Sequence, residues 1–270
     1  LPELLKGCDA CVHLIGIIRE ERGDKDGGPR TFQRMHVDAS RAVLEACRAG
    51  GVNRYVHMSS LGADPDGKAA YQRTKYEAEL LVRRSGLEWT IFRPSLIHGP
   101  DGELVHMIHD MASGHAAPWY FMPYFAREIV DKTVPAGPSH LESAKLQPVA
   151  VEDVAWSFAE AMNKPVTVGE IYNLVGPDTL TWPELMAFYR DLLPGTNPGM
   201  PIAPLPGQVG AAIAFAASKV GLGGLLPFDQ GQATMSMEDS TSERCKVKQH
   251  LGLDPMSFRP SARKYAASMV

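Results

Sequence analysis

Between Cys11 and Phe92, short apolar runs alternate with longer amphipathic patterns, and this alternation constrains the fold more than any other feature of the chain. Residues 11–18 form an apolar run interrupted by His13 and Gly16. It ends in Arg19-Glu20-Glu21-Arg22-Gly23-Asp24, the pattern of a buried strand running into a loop. Across residues 32–49, Val37, Val43, Leu44, Ala46 and Cys47 approximate a 3.6-residue period, and Gly50-Gly51 supplies a helix stop. Tyr55-Val56-His57-Met58 gives a second strand that breaks at Ser59-Ser60-Leu61-Gly62. Residues 71–85 read as a second helix closed by Gly86, with Ala78, Leu81 and Val82 inward and Lys75, Glu79 and Arg83 outward. A third strand, Trp89-Thr90-Ile91-Phe92, ends at Arg93-Pro94.

Strands and helices alternating at this length predict parallel βαβ units, hence an α/β, Rossmann-like sheet with ligands at the carboxyl ends of its strands. Three such ends carry polar or glycine residues: His13 to Gly16, Ser59-Ser60, and Arg93 to Gly99.

The second half is less regular. Residues 114–137 gather Trp119, Tyr120, Phe121, Pro123, Tyr124, Phe125 and Pro135, which suggests a lid or pocket wall more than a regular element. Gln147 to Val151 reads as a short strand, and Glu152-Asp153 open a helix to about Asn163 with acids where the macrodipole favours them. Glu170 to Val175 is a further strand, and Thr181 caps a helix led by Pro183. A proline-rich link (Pro194, Pro198, Pro201, Pro204, Pro206) then leads to residues 208–226, an apolar stretch whose single charge is Lys219. That stretch approaches the roughly 20 residues needed to span a bilayer. Its glycines and lysine fit a surface, partner-docking or packed helix better than a span. The expected organisation is a partial Rossmann-like domain over residues 1–175, with an irregular insert at about 114–146. A smaller C-terminal α/β lobe over residues 176–270 serves substrate or docking.

Charge and cysteine content narrow the partners. The chain has 27 Lys and Arg against 31 Asp and Glu, a net charge of −4, so it has no basic surplus for a nucleic-acid backbone. Its four cysteines, Cys8, Cys11, Cys47 and Cys245, do not form the dense framework of a small secreted domain, and a reducing, cytoplasmic location is expected. Cys8-x-x-Cys11 lacks a second pair and His106-Met107-Ile108-His109 lacks further ligands, so no metal is expected. The N-terminus, Leu1-Pro2-Glu3-Leu4, has neither an initiator methionine nor a secretory signal pattern, as though the chain began in mid-protein.

The chemistry centres on Tyr71-Gln72-Arg73-Thr74-Lys75, which places a phenol and an ammonium four apart on one helix face. A lysine close to a tyrosine favours the phenolate, which makes the tyrosine an acid or base near neutral pH. With Ser59-Ser60 before it and Arg93-Pro94 after it, the sequence resembles the extended or atypical branch of the short-chain dehydrogenase/reductase superfamily, NAD-dependent epimerase/dehydratase-like. Cys8 to Gly16 resembles that branch's fourth strand and following loop, residues 37–46 its next helix, Gly51 to Val56 the lead into the next strand, and Arg93 to Gly99 the segment beside the nicotinamide. Gln147 to Ala155 and Leu226-Pro227-Phe228-Asp229-Gln230 narrow the resemblance to the nucleotide-binding accessory subunit of respiratory complex I and its bacterial relatives.

The resemblance implies NAD or NADP as cofactor, with Tyr71, Lys75 and Ser60 as catalytic residues. It implies cofactor contacts from Leu14, Ile15, Gly16, Met58, Ser59, Ser60, Tyr71, Lys75, Arg93, Pro94, Ser95 and Ile97. The implied function is oxidoreductase or epimerase-type hydride chemistry on a small-molecule substrate. The alternative is a non-catalytic, cofactor-holding subunit of a membrane-associated respiratory or quinone-related assembly, at the inner face of a membrane or in the mitochondrial matrix. Three departures accompany it. No G-x-x-G-x-x-G turn follows a strand, and Gly221-Leu222-Gly223-Gly224 follows an alanine-rich stretch instead, so two leading βα units are expected to be missing. Leu61 stands where the family usually has serine or threonine, leaving Ser60 as substitute. His36 stands where asparagine is common.

Overall fold

The computed structural model describes residues 2–24, 28–130, 139–219 and 226–269. The chain forms two compact units that interleave along the sequence, where the composition suggested one cut near residue 175. The first comprises Leu1–Ser95, Glu152–Val175 and Ser242–Pro255, the second Leu96–Val151, Gly176–Thr241 and Met256–Val270.

The first unit is built on four parallel strands, β1 (Ala10–His13), β2 (Arg54–Met58), β3 (Glu88–Pro94) and β4 (Glu170–Leu174), hydrogen-bonded in that order. Between β1 and β2 runs helix α1 (Ala39–Gly50), entered through a π-helical turn at Gln33–Asp38; between β2 and β3 runs α2 (Ala70–Arg83). Val43, Leu44 and Cys47 of α1 meet Cys11, Tyr55, Val82 and Ile91 in one apolar core, so the 3.6-residue period of α1 is what seats it on the sheet. Gly51 closes α1 in the left-handed conformation, φ 74°, that a side chain would resist. Strand β1 is shorter than the apolar run 11–18: Leu14 to Ile18 leave the sheet as a loop, and Leu14 and Ile15 are exposed.

Two residues placed outward in the helical reading turn inward. Lys75 and Glu79 of α2 are both buried, and only Arg83 of the three faces solvent. The inward charges are tolerated because Glu79 has a cationic partner and Lys75 a carbonyl acceptor, as described below.

Arg54 pins the sheet from its buried side. Its guanidinium donates to the Glu88 carbonyl (2.6 Å), Thr90 Oγ1 (2.7 Å), the Ala161 carbonyl (2.6 Å) and Thr167 Oγ1 (2.9 Å), joining β2 and β3 to the segment that leads into β4.

In the second unit, the aromatic stretch expected to be irregular contains a nine-residue strand, Met122–Val130, paired antiparallel with Ser139–Ser143. Pro135 and Gly137 lie outside the described residues. The proline-rich link likewise contains a strand, Ile202–Pro206, parallel to Met122–Val130. It sits at the sheet's edge, where Pro204 and Pro206 lose no necessary donor. Burial accounts for the longer strand, where Met122, Pro123, Phe125 and Ala126 are buried; Ile202–Pro206 is held by its pairing with that strand. Val105, Ile108 and Met111 of helix Glu103–Ala112 pack with Leu185, Met186 and Tyr189 of helix Trp182–Leu192 and with Phe258, Ala262 and Tyr265 of helix Phe258–Ala266. Thr181 caps its helix as expected: Glu184 Oε2 accepts from the Thr181 N–H and hydroxyl, each at 2.7 Å, which lowers the Glu184 pKa. Helix Gly207–Lys219 covers the first part of the apolar stretch; Gly221 to Gly224 lie outside the described residues. Among the described residues no helix is long and apolar enough to cross a membrane.

Candidate active site

The carboxyl ends of β1 and β2 meet in register at His13 and His57, and the ladder continues past β2 and β3: Ser59 N–H donates to the Phe92 carbonyl (2.8 Å), Leu61 N–H to the Pro94 carbonyl (2.9 Å) and Ser95 N–H to the Leu174 carbonyl (2.9 Å). Helix α2 starts beside them. Gln72 Oε1 accepts from the Ala69 N–H at 2.9 Å and fixes the first turn, on which Tyr71 stands half-buried. Lys75 follows one turn later, 6% exposed, and its Nζ donates to the Met58 carbonyl at 3.2 Å. The ammonium lies 5.9 Å from the centre of the Tyr71 ring. Gly16 passes so close that a β-carbon there would come within 2.9 Å of Lys75 Nζ, so the loop after β1 approaches the ammonium because residue 16 has no side chain.

Ser60 faces Tyr71. Its Oγ is buried and makes no hydrogen bond within normal limits among the described residues, yet it lies near enough to the phenol to favour the phenolate. Burial opposes this and dominates, so the Tyr71 pKa is raised. The sequence reading assigned the lowering of that pKa to Lys75; the ammonium is instead turned to the Met58 carbonyl. Burial also pulls the Lys75 pKa down to about 8, with Glu79 acting the other way.

His36 completes the cluster. The π-helical turn projects it inward, where it is 1% exposed. Its Nδ1 pairs with Thr74 Oγ1 at 2.9 Å and its Nε2 with the Ile17 carbonyl at 3.0 Å, tying α2 to the loop after β1. Its ring meets Tyr71 edge-on at 5.3 Å and stacks on Phe32 at 5.4 Å. His13 is buried near the same cation, with Tyr55 Oη at 2.5 Å from its Nδ1. Burial, reinforced by the Lys75 charge, holds His13 and His36 down to about 4, and it depresses His57 also.

Of the residues expected to form the site, Gly16, Met58, Ser60, Tyr71 and Lys75 come together. Leu14 and Ile15 lie on the exposed loop that leads to Gly16. Ser59 and Arg93 are at the strand ends, but their side chains are committed elsewhere: Ser59 donates to Glu79 Oε1, and Arg93 grips the same carboxylate. Pro94 is buried in register with Leu174, and Ser95 is half-buried beyond it. Ile97 belongs to the second unit, where it pairs with Val149. Glu79 and Thr74 escaped the sequence reading. The Lys75/Glu79 spacing, one helical turn on the face already carrying Tyr71, is the signal that could have found Glu79.

A parallel sheet with a Tyr-x-x-x-Lys helix beside its strand ends is the architecture of a Rossmann-like, dinucleotide-binding fold. Residues 1–115 match a family model described as NAD(P)H-binding. Among curated proteins, the chain is 24% identical over 167 residues to NADH dehydrogenase (ubiquinone) 1 alpha subcomplex subunit 9, mitochondrial, of Dictyostelium discoideum, covering 62% of this chain and 42% of that protein. It is 26% identical over 208 residues to ceramide reductase of Caulobacter vibrioides, covering 77% of this chain and 57% of that one. In both cases the chain spans less than two thirds of the relative's length. A nucleoside-diphosphate-sugar epimerase structure from Staphylococcus aureus superposes with a TM-score of 0.64 at 16% identity, over 97% of this chain and 78% of that one. Together these support an NAD(P)-binding, Rossmann-like protein with NAD or NADP as its cofactor, similar to the extended or atypical short-chain dehydrogenase/reductases.

The residues present fit such a cofactor: a buried hydroxyl beside the Tyr71 phenol at Ser60, an ammonium donating to the Met58 carbonyl at Lys75, and a backbone free of side chain at Gly16 offer donors and close approach.

Proposed function

We propose that the protein is an NAD(P)-dependent oxidoreductase or epimerase-type enzyme in which Tyr71 exchanges a proton with a substrate oxygen. Bound NAD(P) supplies hydride transfer at its nicotinamide ring. Tyr71 gives its phenolic proton to a carbonyl oxygen or takes one from a hydroxyl, and Ser60 Oγ hydrogen-bonds the same oxygen. Lys75 holds the ribose hydroxyls, and Ser60 Oγ is the neighbour that favours the phenolate. His36 keeps the loop at Ile17 and the Tyr71 ring in place. Gly16 and Met58 line the cofactor side, with Leu14, Ile15, Pro94 and Ser95 as further contacts. The observation that carries this reading is the convergence of Tyr71, Lys75 and Ser60 beside Gly16 at adjacent parallel strand ends. Ceramide reduction and nucleoside-diphosphate-sugar epimerisation, the activities in the names of similar proteins, are the reactions to screen first. With a substrate in hand, Tyr71→Phe is expected to reduce turnover by about 100-fold or more with little change in KM. Full turnover by Tyr71→Phe would exclude the mechanism.

A second reading, a cofactor-holding subunit of a membrane-associated respiratory assembly, is favoured by the raised Tyr71 pKa, by Leu61 and by the complex I relative. It places the protein at the cytoplasmic face of a membrane, or in the matrix of a mitochondrion. Isolation from its own cells without membrane association, with a rapidly exchanging cofactor, is the result that counts against it.

A further inference from the structure

Helix Gly207–Lys219 is built inside out. A surface helix ordinarily seats its apolar stripe on the core and shows polar residues to water. Here the seated face is Gly207, Gly210 and Ala214, the helix's buried residues. It lies so tightly that a β-carbon at Gly210 would fall 2.2 Å from the Phe125 ring, and one at Gly207 2.0 Å from the Met237 sulfur. The outer face carries Val209, Ala212, Ile213 and Ala216, all exposed, at the spacing of one continuous stripe. Val209 is 48% exposed and Ile213 47%, and Phe215, 49% exposed, flanks them. Lys219 stands at the helix's end with its Nζ 5.1 Å from the Phe215 ring centre. From residue 192 to residue 228 the sequence has no aspartate or glutamate, and Lys219 is its only charge.

Two arguments select what covers this face. Thirteen helical residues are about 20 Å long, so a stripe about 10 Å wide offers roughly 200 Å². A stable protein interface buries roughly 800 Å² per partner, which the stripe alone does not approach. A bilayer surface sets no such minimum: an apolar helix face settles at the acyl boundary in proportion to its area, and basic residues reach anionic headgroups. The charge pattern fits the same occupant, since the helix itself carries no carboxylate to repel lipid phosphate and its single cation sits at the edge of the stripe.

We propose that helix Gly207–Lys219 lies on an anionic lipid bilayer, with Val209, Ala212, Ile213 and Ala216 at the acyl boundary and Lys219 among the phosphates. The proposal concerns the second unit alone and stands whether or not the protein turns over a substrate.

The test is sedimentation of the whole protein with vesicles of phosphatidylcholine mixed with phosphatidylglycerol, and with vesicles of phosphatidylcholine alone. Wild-type protein is expected to sediment with the mixed vesicles. A Val209→Asp/Ile213→Asp double variant is expected to bind them about ten-fold or more weakly, with unchanged melting because both positions are exposed. Lys219→Glu is expected to weaken binding to the mixed vesicles and to leave the neutral ones unaffected. Wild-type protein left in the supernatant, or a double variant that sediments equally, overturns the proposal. So does light scattering that shows a dimer in the wild type and a monomer in the double variant, because a second copy then covers the face.

Discussion

Arg93 meets Glu79 through two hydrogen bonds, Nε to Oε1 at 2.8 Å and Nη2 to Oε2 at 2.6 Å, and the Glu79 side chain is fully buried while that of Arg93 keeps 21% of its surface in water. The asymmetry sets the cost of losing either partner. Arg93→Met strands a buried carboxylate with Ser59 as its remaining donor, and is expected to destabilise the fold by about 3 kcal/mol. Glu79→Gln leaves an arginine that can reach solvent, and is expected to cost less. Urea unfolding of the two variants measures both, and equal costs would contradict the asymmetry.

Arg54 is expected to resist conservative replacement. Its four short contacts need a planar fork with several donors, which lysine lacks. Arg54→Lys is expected to lose about 2 kcal/mol or more, because it leaves buried acceptors unpaired. A variant within about 0.5 kcal/mol of wild type in chemical denaturation, the range of an ordinary surface change, would show that the acceptors find other donors.

Acid is expected to destabilise the first unit before its carboxylates titrate. Burial lowers His13 and His36 from 6.5 to about 4. Between these values the unfolded chain binds more protons than the folded one, so stability rises with pH across that window and is lost as pH falls from about 6.5 towards 4. Each histidine contributes up to about 3 kcal/mol. Denaturant midpoints recorded from pH 7 to about 4 should fall, and should fall less in His36→Asn; a flat profile would contradict the neutral buried imidazoles.

Alkali is expected to act on binding through Lys75. Its depressed value of about 8 means that the ammonium is lost in the free protein at mildly basic pH. Affinity for NADH or NADPH should therefore decline as pH rises through about 8, and that slope should vanish in Lys75→Met. An equally pH-dependent Lys75→Met protein would place the titrating group elsewhere.

Much of the sheet was legible because its signals are local. The strand Tyr55 to Met58 is a plain apolar run, and Gly50-Gly51 stops α1. Tyr71 and Lys75 were legible because their one-turn spacing follows from helical geometry. What stayed hidden was tertiary. The inward turn of Glu79 depends on Arg93, fourteen residues away, and that of His36 on a π-helical turn that no periodicity announces. The strands Met122–Val130 and Ile202–Pro206 hid among prolines and aromatics, because they are set by pairing between segments distant in sequence.

The measurement that bears most directly on the central claim, that Tyr71, Lys75, Ser60 and Gly16 form an NAD(P) site, is fluorescence titration of the whole protein with NADH and with NADPH. Saturable binding of at least one is expected, weakened about ten-fold or more in Lys75→Met with no loss of melting temperature, since a buried charge is replaced by an apolar group. Absence of saturable binding by the wild-type protein, or equal binding by Lys75→Met, would contradict it.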